Sequence, residues 1–147
     1  MARFTVESVD YDQFGGGIHS AVEEMQRLLP ITARLHRQIP GPDGRDYAFA
    51  VLQKQINFLP PEGFDWSRGQ PECFGKDEAG EFVTIYAIAI APLWEGAQLH
   101  EGMRAFPVRM AYIVDNTAGS DDQLDFNKCE YIGYAMINDL PEPSAST

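Results

Sequence analysis

Asp46-Tyr47-Ala48-Phe49-Ala50-Val51-Leu52-Gln53-Lys54-Gln55-Ile56-Asn57-Phe58-Leu59 fits two templates at once. Ala48, Leu52, Ile56 and Leu59 recur at the spacing of one helix face. Phe49 and Val51 fit the alternation of a strand, but extending that alternation puts Gln53 and Gln55 on the apolar side. The two glutamines decide the reading: 46–59 is expected to be a helix, closed by Pro60-Pro61.

Upstream, Phe4 and Val6 alternate with Arg3, Thr5 and Glu7, so a first strand is expected over Arg3–Tyr11. Gly15-Gly16-Gly17 breaks it. Ile18, Val22, Met25, Leu28 and Leu29 then repeat at helical spacing over Ile18–Leu29. Pro30 kinks this helix or starts a short second one running to Gln38, with Leu35 and Ile39 continuing the stripe. Pro40-Gly41-Pro42-Asp43-Gly44 reads as a turn.

Downstream, the pattern changes to strands with one bulky and one small face. Over Phe82–Ala91, Ile88 and Ile90 alternate with Ala87, Ala89 and Ala91. Over Arg104–Asp115, Phe106, Val108, Met110 and Tyr112 alternate with Pro107, Arg109, Ala111 and Ile113. Over Lys128–Asp139, Ile132, Tyr134 and Met136 alternate with Gly133, Ala135 and Ile137. Asp77-Glu78-Ala79-Gly80 reads as a hairpin connection between Glu72–Lys76 and the first of these strands. Helices followed by a run of strands predict an α+β fold: a mainly antiparallel sheet of about five strands with two or three helices packed on one face. Ala87, Ala89, Ala111, Gly133 and Ala135 mark that face. Residues 1–140 form one domain, and 141–147 have the composition of a disordered tail.

The chain of 147 residues carries 22 acidic and 11 basic residues, a net charge of −11. The basic residues are scattered, which argues against nucleic acid and against an anionic membrane surface. A basic protein partner would be steered in by the opposite field, although acidity also serves solubility alone. No apolar run reaches the roughly 20 residues of a membrane span, and the first residues lack the apolar core of a signal peptide. A cytoplasmic setting is expected. Cys73 and Cys129 form no C-x-x-C pair and read as buried free thiols.

No cofactor motif stands out. The glycine triplet lacks the Lys and Ser or Thr of a phosphate loop. His100-Glu101 opens like a zinc-protease motif, but its second histidine is replaced by Arg104. Asp121, Asp122 and Asp125 belong to an oxygen-rich stretch whose sixth and twelfth positions, Phe126 and Ile132, are wrong for a calcium loop. There is no G-x-S-x-G elbow. Neither metal nor cofactor is expected, and the sequence leaves open whether there is catalysis.

The binding candidates are Trp94, His100, Trp66, Arg109 and the acidic cluster Asp121, Asp122 and Asp125. Trp94 and His100 lie in the long connection Pro92–Met103, and Trp66 with Phe64 in Glu62–Pro71. Long connections in compact domains are often functional, and exposed aromatics make contact patches. The same aromatics could instead fold back to plug the sheet. Arg109 falls on the small-residue face, either in an internal ion pair or sheet-margin position, or as an anion-binding group. The function expected is that of an acidic cytosolic binding protein of inhibitor, immunity or adaptor type. The alternative is a small-molecule carrier or enzyme with a cavity between sheet and helices.

Overall fold

The computed structural model describes residues 3–11, 19–40, 46–64, 66, 73–94, 96–113 and 129–140. Its elements are β1 (Arg3–Asp10), α1 (His19–Arg27), β2 (Ile31–Pro40), β3 (Asp46–Phe58), β4 (Phe74–Asp77), β5 (Gly80–Pro92), β6 (Phe106–Ile113) and β7 (Cys129–Leu140). The strand order is β3-β2-β1-β7-β6-β5-β4, every pairing is antiparallel, and β3 also pairs with β5. That last pairing closes the sheet into a six-stranded barrel. The expected α+β fold with two or three helices on one sheet face is therefore wrong; the described residues are mostly strand, with one helix. β4 pairs with the first residues of β5, where β6 does not reach.

The correction falls on residues 31–59. β2 and β3 are both strands. Ala48, Ala50, Leu52, Ile56 and Phe58 all join the barrel core. A spacing of four residues repeats on a helix face, but it is also twice the strand period, so Ala48, Leu52 and Ile56 satisfied both templates. Gln53 and Gln55 are exposed rather than buried, because a bulge interrupts the strand. Between the pairs Val51↔Ala87 and Ile56↔Ile85, β3 advances five residues while β5 advances two. The extra length lets three polar residues leave the sheet and returns Ile56 and Phe58 to the core side. In β2, Ile31, Ala33 and Leu35 point to the core in plain alternation. Pro30 separates α1 from this strand, and the Leu29–Pro30 peptide is cis.

Large side chains occupy the interior. Phe4, Phe58, Ile85, Ile88, Ile90, Met110 and Tyr112 are all buried there, with the Phe58 and Tyr112 rings 4.7 Å apart. Burying a side chain of this size contributes about 1.5–3 kcal/mol. Closure bends the strands, and further bulges lie at Val6/Ser8, Leu35/Arg37 and Met110/Ala111. Gly133 sits at the last of these with φ +149°, and a Cβ there would collide with the Asp10 carbonyl oxygen of β1. Only glycine lets the two backbones approach this closely.

The two-faced strands are present, but the one described helix, α1, does not sit on the small face. Ala87, Ala89, Ala91 and Ala111 lie on the outside of the barrel, clustered with Tyr47, Phe49 and Ile113. Ala135 instead belongs to the interior. Helix α1 caps one end of the barrel: Val22 and Met25 join the interior core. Gln26 Nε2 donates to the Val9 carbonyl (2.7 Å), and Glu24 Oε2 accepts from the Leu59 amide (2.9 Å). The β5–β6 connection closes the other end, where Met103 is buried and Leu99 is partly buried against the core.

The Pro40–Gly44 turn, beyond Pro40, the Gly15–Gly17 triplet, the 117–125 loop and the 141–147 tail lie outside the described residues.

Candidate functional site: the loop end and its wall

The connection 93–105 follows β5 and is fixed at several points. The Leu93 amide donates to the Pro107 carbonyl (3.4 Å), extending the β5–β6 ladder by one step. Asp139 Oδ2 accepts from the Gly102 amide (2.8 Å), and Asn138 Oδ1 from the Ala105 amide (2.7 Å). The Asp139 amide donates to the Met103 carbonyl (3.0 Å). Two side chains at the end of β7 thus hold a loop that has no ladder of its own, and hydrogen bonds to a charged group are the stronger kind. Ala105 is held at φ +45°, a conformation that costs a non-glycine residue about 1–2 kcal/mol. Met103 is the plug of this end. Trp94 is not: it is 59% exposed.

His100 is exposed and packs edge-to-face on Phe106, with ring centroids 5.6 Å apart. Its Nδ1 lies 2.9 Å from the Glu101 carbonyl oxygen. A carbonyl only accepts, so this bond requires the proton on Nδ1 and leaves Nε2 as the acceptor of the neutral ring.

Arg109 lies on the outer wall, as the strand alternation indicates: Val108, Met110 and Tyr112 face the core, whereas Ala111 and Ile113 belong to the outer cluster. Its guanidinium sits over the Tyr131 ring, 4.9 Å from the centroid. The quadrupole of that ring attracts the cation and offsets part of its burial. Tyr131 lies across the β6–β7 bulge from Arg109, whereas Tyr112 points inward. On the same wall Met136 is 39% exposed and pairs with Pro107 on one side and Ser8 on the other. Trp94, His100 and Arg109 therefore belong to one end of the barrel and the wall that descends from it. Tyr131, Met136 and the plug Met103 are residues of this region that the sequence did not single out; the bulge that brings Tyr131 to Arg109 has no local signature.

Trp66 is elsewhere. Its ring is half-buried between Phe64 and Phe74, edge-on to each at 5.0 Å. Phe64 and Phe74 in turn pack on the barrel core. Phe74 pairs with Val83 near the start of β5, whereas Trp94 follows the end of β5. At about 3.3 Å per residue, roughly 35 Å of extended chain separates these places. Asp121, Asp122 and Asp125 lie outside the described residues. Cys73 is buried; the side chain of Cys129 is outside the description. Among the described residues no three His, Cys, Asp or Glu side chains converge as a metal ligand set, and no helix is long and apolar enough to cross a membrane.

The helix end carries a cleft of about 610 Å³, between the last turn of α1, the start of β2 and the bulged segment of β3. Arg27 on its rim is bound through Nε and Nη2 to the two carboxylate oxygens of Glu24, both at 2.8 Å. This pairing, with a smaller contribution from Asp77, raises the Arg27 pKa above its ordinary value. Comparison of the chain with protein-family models, curated proteins and solved structures found no match.

Proposed function

We propose that this protein acts by binding another macromolecule, as an inhibitor, immunity or adaptor-type protein would, through the loop 93–105 and the adjoining β6–β7 wall. The observation that carries this reading is Trp94: a large aromatic left 59% exposed on a loop whose backbone is otherwise tied down. A pre-positioned aromatic binds at little entropic cost, and such anchors dominate interface energetics. Exposed Met136 and the Arg109–Tyr131 pair extend the patch with residue types enriched at interfaces. The large side chains buried inside the barrel and the burial of Val22 and Met25 against them support this reading over a carrier with a cavity between sheet and helix.

A basic partner suits the −11 charge, and the proposed setting is the cytoplasm. Capture from native lysate by tagged wild type and by Trp94→Ala, with melting curves of both, tests the assignment. The expected outcome is a partner lost by the variant while its melting transition stays in place. Equal capture by both proteins, or a collapsed transition in the variant, overturns it. For the captured partner, the association rate should fall as salt rises, because screening removes the steering field.

A further inference from the structure

The methionines of this chain differ in what they expose. Of the five in the sequence, Met25, Met103 and Met110 are buried, whereas Met136 is 39% exposed; Met1 lies outside the described residues. Strand alternation sets the difference. Ala135 and Ile137 belong to the interior core, so Met136 between them points outward. Its register partners are Ser8 of β1 on one side and Pro107 of β6 on the other. Directly opposed residues are the nearest neighbours on a sheet face. These two are short, and short neighbours leave a long thioether chain accessible to small reagents. Within β6 and β7, Met136 is the one exposed side chain among those described. It is also one of four large apolar side chains exposed among the described residues, with Tyr11, Val51 and Trp94.

We propose that Met136 is a modification site: hydrogen peroxide converts it selectively to the sulfoxide, and the β6–β7 wall turns from apolar to polar. In this step the sulfur lone pair attacks one peroxide oxygen and the O–O bond breaks. The proton of the transferred oxygen passes to the departing hydroxide, which leaves as water. The sulfur is oxidised by two electrons and the peroxide is reduced. The product is a polar group on a side chain that was apolar. A buried sulfur reacts only when its surroundings open, and the open state makes up about 10⁻³ or less of a stable domain. Exposure therefore directs the reagent to Met136. A sulfoxide in the core would disrupt packing, whereas on the wall it changes the surface and leaves the barrel closed. Methionine sulfoxide reductases reverse the step with a dithiol, which becomes a disulfide while the oxygen leaves as water. That the polar form releases a partner rests on the contact surface proposed above; which sulfur reacts does not.

Peptide mapping by mass spectrometry after brief treatment with hydrogen peroxide tests the site. In the folded protein Met136 is expected to gain one oxygen at least about tenfold faster than Met25, Met103 or Met110, and the difference should vanish in denaturant. Retention on a phenyl column reads the surface. Oxidised wild type is expected to elute earlier than untreated protein, and to return to its original position after a sulfoxide reductase with dithiothreitol. Met136→Leu, an exposed substitution that keeps the surface apolar, should hold its retention through the same peroxide treatment. Met136→Gln should elute early without any peroxide. Buried methionines that oxidise as fast as Met136 overturn the proposal. So does wild-type retention unchanged by oxidation, or an equal loss of retention in peroxide-treated Met136→Leu. None of these readouts uses the partner, so they separate the modification site from the proposed contact.

Discussion

The two ends of the barrel are closed by different means. At one end a regular helix lies across the opening and inserts Val22 and Met25. At the other, an irregular loop inserts Met103 and is held by Asn138 and Asp139. Each solution leaves something over. The helix covers the opening with one face, and where β2 and β3 part beside its last turn a polar cleft remains. The loop buries Met103 and packs Leu99 on the core, and Trp94 is left in solvent. Closing the core and presenting a surface are separate tasks here, carried by different residues of the same segment.

That separation predicts large stability effects for the plugs. Met25→Ala and Met103→Ala should each lower unfolding free energy by about 2–5 kcal/mol in chemical denaturation, because both side chains are buried and each truncation leaves a cavity. A Met103→Ala variant as stable as wild type would show that the loop only rests on the barrel, and the two ends would no longer be equivalent.

The wall between the ends responds in the opposite sense of volume. Ala89 is fully buried in the outer cluster, so Ala89→Leu should cost about 1–3 kcal/mol by overpacking. An unchanged denaturation curve would mean that this face has room, and that the outer cluster is looser than either plug.

A smaller effect distinguishes the loop end from the helix end. Ala105 is the one non-glycine residue with positive φ among those described. Ala105→Gly should raise stability by roughly 0.5–1 kcal/mol, the strain relieved exceeding the entropy added. A loss of stability on this substitution would mean that the methyl group of Ala105 contributes packing that outweighs its backbone strain.

The strands 80–92, 106–113 and 129–140 were legible because their bulky and small residues alternate over long stretches. The Asp77–Gly80 turn was legible too, and Asp77 Oδ1 accepts from the Ala79 amide (2.8 Å) there. The strand character of 31–58 was hidden for two physical reasons. Apolar residues four apart occupy one side of either a helix or a strand, and the bulge at 52–55 places polar residues where alternation demands apolar ones. Barrel closure itself rests on the pairing of Phe49 with Ala89, forty residues apart in sequence, which no local pattern encodes. Trp94 was singled out from loop length and residue type, and it is exposed. Tyr131 and Met136 were missed, since bulges reset which side of the wall a residue occupies. Gln53 and Gln55 decided the helix reading, and they are the residues at which β3 leaves the sheet.

Trp94 should have almost no effect on folding: Trp94→Ala is expected within about 0.5 kcal/mol of wild type, as for exposed substitutions generally. The most direct measurement of its role uses Trp66→Phe, which keeps the aromatic contact with Phe64 and Phe74 and leaves Trp94 as the sole tryptophan. Acrylamide quenching of this variant should be strong in the free protein and should fall sharply in complex with the captured partner. Weak quenching in the free protein, or quenching unchanged by the partner, would contradict the assignment of this loop as the contact surface.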